Sequence, residues 1–133
     1  MLKTIATIAF LVLLGSTAPQ AQQAPLQPSP VKRTILQKAD VPGTNLEVIY
    51  ATVELVPSFK ACRHSHPGVV MAHVAEGEFW LAPDGQPETI FKAGEALTVP
   101  DRAIHNEGAT DKGVKISVVY ALEKGKPIAI PAK

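Results

Sequence analysis

Apolar residues recur in this chain as short runs closed by proline or glycine, and no window carries the 3.6-residue stripe of an amphipathic helix. Residues 46–56 read Leu-Glu-Val-Ile-Tyr-Ala-Thr-Val-Glu-Leu-Val, β-branched and partly alternating, and stop at Pro57-Ser58; that pattern predicts a strand. A second run at 69–75 closes on Glu76-Gly77-Glu78, and Phe79-Trp80-Leu81 then leads into Pro83-Asp84-Gly85, where proline presets φ and glycine permits its positive values. Thr89-Ile90-Phe91, residues 96–99 and Ile104-His105-Asn106 are shorter runs, separated by Lys92-Ala93-Gly94-Glu95 and Pro100-Asp101-Arg102. Residues 114–122 supply a last long strand. Short strands at close, regular turn spacing predict an all-β sandwich or closed barrel, and 133 residues are enough for one such domain.

The two ends read differently. Residues 1–21 have the form of a secretory signal: Lys3, an apolar run from Ile5 to Leu14 broken by Thr7, then Gly15, Ser16, Thr17 and Ala18. Cleavage after Ala21 is expected, which places the mature protein in the periplasm or outside the cell without stable membrane insertion. The apolar run is far shorter than the roughly 20 residues that span a bilayer. Residues 22–31 are Gln- and Pro-rich, a composition suited to an extended linker. The folded domain is expected over 32–127, with a tail at 128–133.

Thirteen Lys and Arg stand against 12 Asp and Glu, and without Lys3 the count is even; this balance gives no electrostatic reason to expect a nucleic acid or an anionic membrane as partner. Cys62 stands alone, so no internal disulfide supports the fold and packing must do so.

His64 and His66 are separated by one residue. In a strand, side chains two apart share a face, so both imidazoles can reach one ion at about 2.0–2.1 Å. His105 opens a short strand after the Pro100 turn, and barrel closure brings such a strand opposite the first two histidines.

Three segments carry a resemblance: His64-Ser65-His66-Pro67-Gly68, then Val74-Ala75-Glu76-Gly77-Glu78, then residues 94–100 followed by His105. Over roughly 41–126 these are similar to the two motifs of the cupin superfamily. The resemblance implies a single jelly-roll β-barrel, commonly a homodimer. It also implies a divalent metal (Fe, Mn, Zn, Cu or Ni) held by two histidines, a glutamate and a third histidine, the histidines falling on His64, His66 and His105. The chain departs from the pattern at three places. The glutamate position is Val70, or Met71 with the alternative spacing, and neither offers an oxygen. The glycine before the third histidine is Arg102, and the usual aromatic of the first motif is His73, which alternation turns away from an inward Val70.

Three neutral imidazoles would leave a divalent charge uncompensated, making the ion a stronger Lewis acid and a better anion binder. Cys62 shares the parity of His64 and His66 and reads either as a soft fourth ligand or as a small buried hydrophobe, the latter being the commoner use of free cysteine. Phe59, Phe79, Trp80 and Phe91 are assigned to packing. Arg63 points away from the His64 face, whereas Arg102 lies on the turn that delivers His105 and is placed to meet an anionic substrate. Two functions follow from these residues. One is a metal-dependent oxygenase, isomerase or hydrolase acting on a small organic anion, with no protein base identified beside the metal. The other is a non-catalytic barrel that binds or senses a metal or small molecule through a degenerate site.

Overall fold

The computed structural model describes residues 29–133; the signal read in 1–21 and most of the linker read in 22–31 lie outside the described residues. The described chain is all strand: β1 (Val31–Asp40), β2 (Leu46–Leu55), β3 (His64–Ser65), β4 (Gly68–Pro83), β5 (Thr89–Lys92), β6 (Ala96–Val99), β7 (His105–Glu123) and β8 (Ile130–Pro131). They join one curled antiparallel sheet in the order β1-β2-β7-β3-β8, with β4 on the other flank of β7 and pairing also with β5 and β6. The all-β barrel expected from the turn spacing is the architecture found.

β7 is the spine. Its C-terminal half pairs with β2 on one side and with the first half of β4 on the other, while its N-terminal end pairs with the last residues of β4 and, at His105, with His64 of β3. Two pairs of runs that read as separate strands are therefore continuous, because the polar stretches between them stay in the ladder as irregularities. The β4–β7 register shifts between Val74 and Glu76 and again between Gly77 and Phe79.

These shifts change which residues face inward. Val70, Ala72 and Val74 of β4 are buried, and so are Phe79 and Leu81 beyond the shifts. In β7, Val114, Ile116, Val118, Tyr120 and Leu122 are buried on one parity, and His105 and Ala109 on the other. Side chains alternate along a strand with period two, so an inserted residue re-aims everything after it. Without the irregularity, the end of β7 that carries His105 would face away from the core lined by Ile49, Ala51, Val53 and Leu55 of β2.

Two segments differ from expectation. β1 carried no clear strand signal, and nearly all of it is exposed, its apolar Ile35 and Leu36 included; an edge strand outside the core has no reason to alternate. Residues 128–133, read as a tail, instead belong to the barrel: Ile130 pairs with Ser65, Pro131 with His64, and the Ala132 amide donates to the Arg63 carbonyl at 3.0 Å. The two-residue β3 lies between β7 and β8, so this C-terminal strand completes its pairing.

Candidate metal centre

His64 and His105 are direct cross-strand partners, a position that brings two inward side chains into contact. Their ring centroids are 4.4 Å apart, and the His66 ring stands 5.0 Å from His64 and 5.2 Å from His105. All three are buried. The arrangement is fixed from behind by the backbone: Nδ1 of His64 donates to the Cys62 carbonyl at 2.7 Å, that of His66 to Ile128 at 2.6 Å and that of His105 to Ala103 at 2.9 Å. A carbonyl oxygen only accepts, so each Nδ1 carries a proton, and each ring in its neutral form turns a bare Nε2 inward. Metal-ligating histidines are held in this way. The Ile128 contact explains why the C-terminal segment matters to the site.

Glu107 is the residue that sequence reasoning missed. It lies two residues after His105 on β7 and so shares its inward face. Its carboxylate oxygens stand 3.3 Å from Nε2 of His105 and 3.6 Å from Nε2 of His64. One ligand atom from each of the four residues lies within 4.8 Å of the others, close to the roughly 4.2 Å between opposite donors around an ion bound at about 2.1 Å. The same parity argument that paired His64 with His66 would have found it. The carboxylate absent at Val70 is thus present on another strand, and the expectation of an uncompensated divalent charge is corrected.

The electrostatics are those of a cation site. Burial works to raise the Glu107 carboxyl, but His105 beside it and the positive character of all three imidazoles hold it below the ordinary carboxylate value. Burial works to lower His105, and the Glu107 carboxylate and the Ala103 carbonyl overcome it, leaving the group above the usual histidine value. Burial pushes His66 down. Three Nε2 atoms and a carboxylate face one another, and Nε2 of His105 is buried without a hydrogen-bond partner at normal distance. A divalent ion fits this set of donors, since a cation is what four converging acceptors lack.

The remaining sequence candidates fall outside the cluster. Val70 is inward, in the wall of the cavity over the histidines, while Met71 is exposed. His73 is exposed on the outer face, as alternation required. Cys62 is neither buried nor among the four converging residues; it is exposed at the cavity rim, because the chain there has not yet entered β3. Phe79 is in the core, with Phe59 and Phe91 packed against it. Arg63 is exposed and paired with Asp84.

Arg102 does not meet the cavity: its guanidinium is engaged by Asp101 and Glu123. Its backbone, at φ 56°, adopts the left-handed conformation for which the cupin pattern uses glycine, and its amide donates to the His66 carbonyl at 3.1 Å. The turn is therefore kept despite the side chain. Arg102→Gly is expected to leave the urea midpoint close to the wild-type value, since relief of strain offsets the lost surface ion pairs. Arg102→Val is expected to lower the urea midpoint, because a β-branched residue tolerates positive φ worse than arginine does; urea denaturation of both variants checks this.

A cavity of about 270 Å³ opens over the cluster, walled by Val53, Leu55, Phe59, Val70, Val118 and Tyr120. It offers a small molecule apolar walls and one polar floor, the usual composition of a ligand site.

No family model and no curated protein matches this sequence. Solved structures do match its fold. A cupin superfamily protein from Desulfitobacterium hafniense DCB-2 superimposes with TM-score 0.61 at 17% identity, over 79% of this chain and 94% of that one. The polyketide cyclase RemF from Streptomyces resistomycificus gives 0.60 at 19% identity, over 79% and 74%. The DMSP lyase DddQ from Ruegeria pomeroyi DSS-3 gives 0.59 at 15% identity over 64% of this chain, which spans only 43% of the lyase. The fold of this chain is that of the cupin barrels.

Proposed function

We propose that the protein is an exported, metal-dependent cupin acting on a small organic molecule, with a divalent ion held by His64, His66, His105 and Glu107. The observation that carries the reading is the convergence of three Nε2 atoms and a carboxylate, with each ring held at Nδ1 by a backbone carbonyl. Such an ion polarises a bound oxygen and acidifies a bound water. The chain's own contribution is positional: backbone carbonyls orient the three rings, Glu107 cancels one unit of charge, and the apolar walls exclude water from the floor of the cavity. Glu107 also removes the argument for an inert barrel that Val70 alone had made. Neighbours named as a lyase and a cyclase support an enzyme, residues 1–21 support export, and the exposed edge strand β1 with Ile35 and Leu36 supports pairing of two copies.

Metal analysis of protein from its native compartment, followed by titration of stripped protein with Fe, Mn, Zn, Cu and Ni, tests the reading. One ion per chain is expected, and failure to take up any of the five refutes it. The pH dependence has a definite sign. His105 holds its proton above the ordinary 6.5, so an incoming ion must displace it even near neutrality. His66, whose proton leaves more readily than usual, adds competition only in more acid solution. Affinity is expected to rise with pH, by about tenfold per unit for each proton displaced, until His105 is bare. Calorimetry in buffers of different ionisation enthalpy reads the released proton directly.

A further inference from the structure

We infer that Arg33 is an anion-recognition residue at this cavity and that its ligand is a small carboxylate with an apolar body; the inference rests on the metal-centre reading above. Two arginines line the cavity, Arg33 and Arg63. Arg63 is paired with Asp84 and also donates to the Lys133 carbonyl at 3.4 Å, and Arg102, favoured from sequence, is paired with Asp101 and Glu123. Arg33, on β1, has no carboxylate within ion-pair distance among the described residues.

Its surroundings suit a ligand anion. The guanidinium carbon lies 5.7 Å from the centroid of the Tyr120 ring, and that ring lies 5.9 Å from the His66 ring. The Tyr120 side chain supports the cation and its hydroxyl engages one of the guanidinium's donors, while the N–H groups that remain can offer a carboxylate charge-assisted hydrogen bonds. The cavity that Arg33 shares with the imidazoles is also lined by Val53, Leu55, Val70 and Val118, which offer nothing polar to the body of a ligand. A molecule spanning this space therefore presents an anionic group to Arg33, an apolar body to the walls and its other end to the histidine floor. The cavity volume, about 270 Å³, corresponds to the share of about nine waters in the liquid, which limits the ligand to a short acyl chain or a single ring.

Calorimetric titration with two matched pairs, hexanoate against hexanamide and benzoate against benzamide, tests the inference on metal-loaded and stripped protein. The wild type is expected to favour the carboxylate of at least one pair by about tenfold. Arg33→Gln is expected to reduce that preference to within about twofold with metal content unchanged, and Arg33→Lys to restore part of it. A wild type with no carboxylate preference, or an Arg33→Gln variant that keeps one, overturns the inference. A preference lost on stripping the metal but insensitive to Arg33→Gln assigns the anion to the ion and also overturns it. A protein that takes up no ion, yet loses its carboxylate preference in Arg33→Gln, refutes the metal centre and leaves Arg33 in its role.

Discussion

Replacing His105 with alanine is expected to weaken divalent metal binding by more than about a hundredfold. Loss of a mere outer hydrogen-bond partner of a ligand costs roughly 10–100-fold, and His105 is placed as a donor itself. It is also the member that ties the cluster together: it pairs across the ladder with His64, and its Nε2 is 3.3 Å from Glu107. Its removal leaves the Glu107 carboxylate without its nearest imidazole, with His64 at 3.6 Å. Glu107→Gln keeps the shape and removes the charge, so an intermediate loss of about tenfold is expected if the carboxylate is the fourth donor. Competition with a chromophoric chelator measures both. Because His105 is fully buried, the variant must be shown to be folded, and near-UV circular dichroism serves for that. A folded His105→Ala protein that binds one ion as tightly as the wild type would remove the basis for the proposed centre.

How far this site could be read in advance depends on what a strand pattern encodes. His64 and His66 were legible because their spacing alone puts them on one face, and His105 because the turn before it is marked by proline. Glu107 satisfied the same spacing rule with His105, but the cupin pattern directs attention to the strand of Val70, and an acid four residues before Asp111 reads as one more surface charge. The wish for a carboxylate was sound; its location was not where a linear motif puts it. The turn at Arg102 shows the converse, since a residue that seemed to break the pattern keeps the glycine-type backbone at φ 56°.

The strands were legible where they alternate against a core, as in β2, and not where they lack one, as in β1. Cys62 was misplaced for a related reason: parity was extended to a residue that precedes the two-residue β3. The most consequential hidden features are the irregularities in β4 and β7. Polar residues such as Glu76-Gly77-Glu78 look like the end of a strand, because local sequence does not show that a partner strand carries its own irregular stretch at the same level. Only the pairing of the two reveals that both switch inward parity together, and with that switch His105 and Glu107 acquire their direction.

That dependence makes Gly77 a sensitive backbone position outside the site, and Gly77→Ala is expected to destabilise the protein by about 3 kcal/mol or more. Two effects combine there. The residue has φ +76°, which costs a residue with a Cβ about 1–2 kcal/mol, and the added Cβ would overlap the carbonyl oxygen of Gly113 on β7 and stand 2.9 Å from its carbon. Both obstructions are backbone, so no change of rotamer relieves them and the two strands must separate. Gly85 supplies the control: its φ is +72° but a Cβ there meets nothing within 4 Å, so Gly85→Ala is expected to cost only the conformational part. Urea denaturation midpoints of the two variants separate strain from close approach, and equal losses would contradict the role given to the Gly77–Gly113 contact. Where Gly77→Ala still folds, separation at this level also disturbs the aim of β7 toward the barrel interior, so its metal affinity is expected to fall although no ligand has been touched, while that of Gly85→Ala stays at the wild-type value.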